Sequence, residues 1–193
     1  IHFSIKNKII VNNFSSIVQH GDKIGLIGHN GCGKTTLIKI IIGQIKPKKG
    51  SIHIGTGLKT VYFDQNRSKL NPKKSIIENM NCGIEKIILN GKEKHLIGYL
   101  KNFLFQPNQI HSLVKTLSGG ECNRLLLAKI FLKPSNVLIL DEPTNDLDLD
   151  TLQILEKIIK NYQGTILIVS HDRIFLENSV NQYWIFKEKG NII

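Results

Sequence analysis

The sequence is short of acid, short of cysteine and free of long apolar runs. Its 15 acidic residues stand against 26 lysines and arginines, for a formal charge of +11. Such a balance favours nucleic acid, the ribosome or another anionic surface as partner. The same charge also follows from a general enrichment in Ile, Asn and Lys along the chain. The three cysteines, Cys32, Cys82 and Cys122, have separations that match no usual zinc motif and suggest no disulfide framework. That spacing agrees with a reducing, cytoplasmic location. No stretch approaches the roughly 20 apolar residues of a membrane span, so no direct membrane insertion is expected. Internal repeats and low-complexity segments are missing too. Position 1 is Ile rather than Met, which leads us to expect a fragment.

What is present is a folded chain of 193 residues, 41% apolar, enough for one domain with an ample core and a subdomain. Short strands are expected at 3–5, 8–11 and 14–18. The apolar run Lys23-Ile24-Gly25-Leu26-Ile27 reads as a further strand, and 35–42 as a helix stopping near Gly43. Strands follow at 51–54 and 59–63, with short helices at 75–80, 85–89 and 94–103. Val137-Leu138-Ile139-Leu140 is a nearly pure apolar strand, as expected where both sheet faces are buried. A helix at 147–159 and strands at 164–169 and 182–186 complete the chain. Strands alternating with helices give an α/β fold with an antiparallel portion at the N-terminus. We divide it into a core of 1–74 and 133–193 and an inserted, mostly helical subdomain at 75–132.

The chemistry centres on Gly28-His29-Asn30-Gly31-Cys32-Gly33-Lys34-Thr35-Thr36, set between a strand and a helix. Glycines permit a tight turn whose N–H groups surround phosphate oxygens, and the helix N-terminus adds positive charge. Lys34 can reach the outer phosphates, and the Thr35 hydroxyl can hold magnesium. Asp141 and Glu142 end the apolar strand, where ligands bind in open α/β sheets. Asp141 suits the shell of a magnesium ion, and Glu142 can orient or deprotonate a water. Leu117-Ser118-Gly119-Gly120-Glu121 reads two ways at once. Ser118 with Glu121 is a capping box, and a hydroxyl with two glycine amides at a helix start is an anion-binding surface.

These stretches together resemble an ATP-binding-cassette domain of the P-loop NTPase type. Residues 28–36 are similar to the family's Walker A motif, and 137–142 to its Walker B motif with the catalytic glutamate. Residues 117–121 are similar to its signature. The resemblance implies roles for further residues: Gln65 as the Q-loop glutamine on magnesium, Asp148 as the D-loop aspartate, and His171 as the switch histidine beside the γ-phosphate. It also implies an aromatic, Phe3, under adenine. Phe3 reads equally as core. Within the family, Glu142-Pro143-Thr144-Asn145-Asp146-Leu147-Asp148 and Lys59-Thr60-Val61-Tyr62-Phe63-Asp64-Gln65 resemble the soluble ABC-F subfamily. Ile52-His53-Ile54-Gly55-Thr56-Gly57 and His95-Leu96-Ile97-Gly98-Tyr99-Leu100 resemble its bacterial Uup branch, and the chain looks like the second of two cassettes there.

Three positions depart from the family pattern. His29 and Cys32 stand where proline and alanine are common, and Asp146 replaces a histidine common in ABC-F proteins. None removes an expected catalytic group. The implied function is Mg-dependent ATP hydrolysis by a soluble protein acting on ribosomes or DNA. Lys34, Gln65, Glu142 and His171 would serve catalysis, and Thr35, Gln65 and Asp141 would place magnesium. Ser118, Gly119, Gly120 and Glu121 would act on the site of another cassette in the same full-length chain. Other readings are the ATPase subunit of a membrane transporter and a non-enzymatic, ATP-gated module. Lys46, Lys48, Lys49, Lys59, Arg67, Lys69, Lys73 and Lys74 form a candidate basic surface, or are ordinary solvated lysines and arginine.

Overall fold

The computed structural model describes residues 1–6, 8–64, 70–80, 86–89, 92–145 and 147–193. It divides into two compact units. The first comprises Ile1–Gln65, Ser135–Pro143 and Ile159–Ile193, and the second Asn66–Pro134 and Thr144–Ile158.

The first unit opens with β1 (Phe3–Ile5) and β2 (Lys8–Val11), an antiparallel pair. β3 (Lys23–Ile27) leads into α1 (Lys34–Ile41), and β4 (Thr60–Asp64) follows. From the later chain come β7 (Val137–Asp141), β8 (Thr165–Val169) and β9 (Gln182–Ile185), with α6 (Arg173–Ser179) between the last two. β4, β7, β8, β3 and β9 form one sheet in that order, with every pairing parallel. Parallel strands covered on both faces must be apolar throughout. β8, Thr165–Val169, is accordingly buried at every position. Leu26, Val169, Asp141 and Asp64 lie in one row of the register, so the strands end level. The segments that leave those ends therefore emerge together at one edge. The core behind them includes Ile24, Leu26, Leu37, Ile38, Ile139, Leu167 and Trp184.

The second unit contains α2 (Ile76–Asn79), β5 (Lys86–Leu89), β6 (Lys92–His95), α3 (Leu96–Lys101) and α4 (Gly119–Phe131). Its buried side chains include Ile76, Leu96, Leu100, Phe103, Phe105, Leu125 and Leu127. The Tyr99 hydroxyl donates to the Ala128 carbonyl at 2.7 Å, fastening α3 to α4. α5 (Leu149–Asn161) has its residues 149–158 in this unit and 159–161 in the first.

Four expected elements differ. Residues 86–89 are a strand, not a helix, and 92–95 pair with them antiparallel before α3 begins at Leu96. The residues between the strands are Asn90 and Gly91, outside the described set. Asn-Gly between two such runs is a strong hairpin signal, and it outweighs the helical spacing. Residues 14–18 form no strand: Ile17 is exposed, and the Phe14 ring instead packs edge-on against Trp184 at 5.0 Å. Residues 51–54 form none either, and Ile54 is exposed. Both segments have apolar side chains but no ladder partner, and an unpaired strand leaves its backbone donors and acceptors unsatisfied unless water takes them.

Candidate functional site

The loop after β3 is shaped by three glycines with different jobs. Gly33 has φ +116, and a Cβ there would lie 2.3 Å from Ile10 Cγ2. It must therefore be glycine for its conformation and for the close approach of β2. Gly31 has φ +72 with open space around it, so only conformation demands it. Gly28 lacks room: a Cβ would sit 2.7 Å from both Cys32 Sγ and Phe186 Cβ. Cys32 is buried in the first unit's core and anchors the loop from inside. His29, Asn30 and Gly31 form its exposed rim.

Lys34 opens α1, and no acidic residue lies in that helix's first turn. The helix therefore supplies no carboxylate of its own against the positive end of its dipole. Lys34 is 6% exposed. Its ammonium donates to the carbonyls of Gly28 at 2.7 Å and His29 at 3.2 Å, and lies 3.5 Å from His171 Nε2. Thr36 is half-buried in the first turn.

β7 delivers two carboxylates. The Thr35 hydroxyl donates to Asp141 Oδ2 at 3.0 Å. Glu142 has φ +52, an uncommon conformation for a side chain of its size. Its N–H donates to the Val169 carbonyl of β8, which holds that turn in place. Glu142 Oε1 lies 3.2 Å from His171 Nε2. Burial pushes the Glu142 carboxyl above its ordinary range, while His171 and Lys34 pull it back. Its other oxygen is buried and has no hydrogen-bond partner among the described residues.

His171 follows β8, which lies between β7 and β3 in the sheet. That strand order explains how one imidazole meets a carboxylate from the β7 side and an ammonium from the β3 side. The structure thus brings together Lys34, Glu142 and His171, and separately Thr35 with Asp141. Phe3 is half-buried and packs against the first unit's core. Gln65 and Asp146 lie outside the described residues, as do Arg67, Lys69 and Cys82.

In the second unit, the Ser118 hydroxyl accepts from the Glu121 N–H at 3.2 Å, and the Glu121 carboxylate accepts from the Ser118 N–H at 2.8 Å. This is a complete capping box. The bond from the Ser118 N–H holds the Glu121 carboxyl below its ordinary range. Gly119 and Gly120 form the first turn of α4. A Cβ on Gly120 would lie 2.5 Å from Asp148 Oδ2. Asp148 pairs with Arg124 at 3.1 Å and accepts from the Thr151 N–H at 2.8 Å and from its hydroxyl.

Two residues with no role assigned from sequence stand out. The Tyr62 hydroxyl donates to Asp141 Oδ2 at 3.0 Å, and Arg124 holds Asp148. Their motifs were legible, but side-chain bonds across elements leave no periodic signal.

Residues 11–145 match the model of the family described as ABC transporter. The chain belongs to the ABC transporter family. Among its relatives is the ATP-binding protein Uup of Buchnera aphidicola subsp. Acyrthosiphon pisum (strain APS), 71% identical over 192 residues. That match covers 100% of this chain and 32% of the relative. The chain spans about a third of the length of the curated relatives it matches first. The fold of this ABC chain is shared with a solved ATP binding subunit of an ABC transporter, at TM-score 0.77 and 21% identity, covering 99% of this chain and 85% of that one. It is also similar to a chain in the complex of archaeal ribosomal stalk protein aP1 and archaeal ribosome recycling factor aABCE1. There the TM-score is 0.68 and the identity 25%, over 90% of this chain and 33% of that chain. The family match spans the glycine loop, Ser118 and both β7 carboxylates. Phe3, Asp148 and His171 fall outside it.

Proposed function

We propose that the chain is one ATP-hydrolysing cassette of a longer ABC-F-type protein of the Uup kind. The family match indicates an ATPase cassette. The observation that carries the site-level reading is the meeting of Glu142, His171 and Lys34 at one edge of the sheet. In this reading Lys34 and the loop amides of residues 28–36 grip the β- and γ-phosphates. Glu142 orients and deprotonates the attacking water, and His171 steadies the water and the γ-phosphate. Positioning and electrostatics supply most of the gain. Phe3 stacks on adenine.

Magnesium fits the donor set. Oxygen ligands at Thr35 and Asp141 suit a hard cation that retains waters and shares phosphate oxygens. Gln65 is the third candidate. The ion would neutralise charge between the β- and γ-phosphates.

Ser118, Gly119, Gly120 and Glu121 complete the nucleotide site of a second cassette in the full-length chain, with Asp148 beside them. The length of the relatives supports a chain with room for that cassette. In this reading the first unit serves as the nucleotide-binding core, and the second, which carries Ser118 and also residues 66–74 and 144–158, as the signature subdomain. The protein works in the cytoplasm on a polyanionic partner, the ribosome or DNA. Support comes from the charge of +11 and from the likeness to a chain crystallised with a ribosomal stalk protein. Among the described residues no helix is long and apolar enough to cross a membrane.

The test is Glu142→Gln in the full-length protein. ATP binding should persist while turnover falls by about a hundredfold or more. Unchanged turnover would remove Glu142 from the mechanism. Pulldown with the same variant and ATP, scored for ribosomes and DNA, ranks the partners. Capture of neither would overturn the polyanion reading.

A further inference from the structure

Asp141 Oδ2 receives two hydroxyl donors, Thr35 Oγ1 and Tyr62 Oη, each at 3.0 Å. They arrive from different elements. Thr35 stands in the first turn of α1, and Tyr62 stands on β4 beside Ile139 of β7. Asp141 is two residues beyond Ile139, hence on the same face of its strand, one step of about 7 Å along the sheet. A tyrosine is long enough to cover that step, and a shorter donor at position 62 is not. Tyr62 packs against the first unit's apolar core, to which Ile139 belongs. Packing therefore decides where the hydroxyl sits, and only the polar tip of the side chain reaches the carboxylate.

An aspartate carboxylate turns easily about its last torsion, which has broad preferences rather than three sharp wells. Two donors converging on one oxygen remove that freedom. Among the described residues no donor reaches Oδ1. The Thr35 proton is directed at Oδ2, which leaves the lone pairs of the Thr35 oxygen facing away from the carboxylate.

We infer that Tyr62 is a positioning residue for the metal-bearing carboxylate: its hydroxyl locks Asp141 so that Oδ1 and the Thr35 oxygen are presented together to a magnesium ion. This rests on the nucleotide-site reading above. In this inference Tyr62 touches neither phosphate nor metal, and acts through Asp141. A tyrosine that only filled the core would owe nothing to its hydroxyl.

Tyr62→Phe removes that oxygen and keeps the ring. In the full-length protein, affinity for a fluorescent, slowly hydrolysed ATP analogue is measured with magnesium and with excess EDTA. The EDTA value should stay within about twofold of the parent, while the gain from magnesium should shrink about tenfold or more, the worth of one hydrogen bond to a charged group. The magnesium concentration at half-maximal turnover should rise by a similar factor, and kcat at saturating magnesium should fall less. In an Asp141→Asn background the Tyr62→Phe change should have no further effect on magnesium dependence. Parent-like magnesium dependence in Tyr62→Phe, whatever its melting temperature, overturns the inference. So does an undiminished effect in the Asp141→Asn background. A parent protein that binds the analogue under neither condition would instead sink the nucleotide-site reading itself.

Discussion

Arg124 and Asp148 form an ion pair at 3.1 Å, and the same carboxylate caps the start of α5 through Thr151. One side chain thus ties α4 to the segment that follows Glu142, inside a single unit. The pair should be measurable by a double-mutant cycle in urea. Asp148→Ala should cost about 1–2 kcal/mol, because a cap and an ion pair are lost together. Arg124→Ala should cost less, and the coupling should be about 0.5 kcal/mol, since the Asp148 side chain is nearly half exposed. The bonds from Thr151 hold the Asp148 carboxyl below its ordinary value of 3.8. A depressed carboxylate stabilises the fold above the unfolded pKa and loses that contribution as pH falls through the folded one. The Asp148→Ala penalty should therefore shrink below about pH 4.

The loop glycines should separate by cause in thermal melts without nucleotide. Gly33→Ala meets Ile10 at 2.3 Å and also places a side chain at φ +116. It should lower stability by about 3 kcal/mol or more. Gly31→Ala meets nothing within 4 Å and bears only the cost of φ +72. About 1 kcal/mol is expected there. Equal losses at both positions would remove the steric role of β2 beneath the loop.

Glu142 should carry a stability penalty that varies with pH. Its folded pKa is raised above 4.5, chiefly by burial. A raised carboxyl is favourable below the unfolded value and becomes costly as pH rises through the folded one. Glu142→Gln should therefore melt slightly higher than the parent near pH 7, by up to about 1 kcal/mol after solvent screening. The difference should vanish near pH 4. If hydrolysis uses the carboxylate as proposed, the acid limb of the parent's kcat/KM profile, which reports the free enzyme, should sit above the ordinary glutamate range. A limb at or below 4.5 would contradict the burial account.

Phe3 tests stacking against packing. Phe3→Leu keeps an apolar side chain against the core but removes the flat ring. If the ring stacks on adenine, ATP affinity should drop about three- to tenfold, with a melting temperature within a few degrees of the parent. A melting loss with parent-like affinity would assign the residue to the core alone.

The sheet and its loops were legible because they follow from patterns internal to each segment. Val137-Leu138-Ile139-Leu140 has to be buried on both faces, and the glycines at 28, 31 and 33 announce a tight turn before a helix. The strand pair 86–89 and 92–95 left no clear signal because Ile87, Ile88 and Leu89 suit either period over so short a run. The site residues of the motifs were legible by type and place. What no spacing revealed were bonds between distant segments, such as Tyr62 to Asp141 and Arg124 to Asp148. Those depend on strand order, with β4 laid beside β7, and on side-chain reach once the chain has folded.

The Lys34 ammonium, bonded to the carbonyls of Gly28 and His29, carries one more implication. The ammonium has three protons and two are held by these carbonyls, so a phosphate that takes more than one of them displaces a neutral dipole of the loop itself. Exchange favours ligands of high charge density. A chloride or acetate ion offers a single, well-hydrated charge and gains little from the trade. A polyphosphate tail offers several adjacent oxygens, which engage the ammonium and the loop N–H groups in one event. If the loop holds nucleotide as proposed, it would act as a filter on valence before any feature of the base or sugar is read.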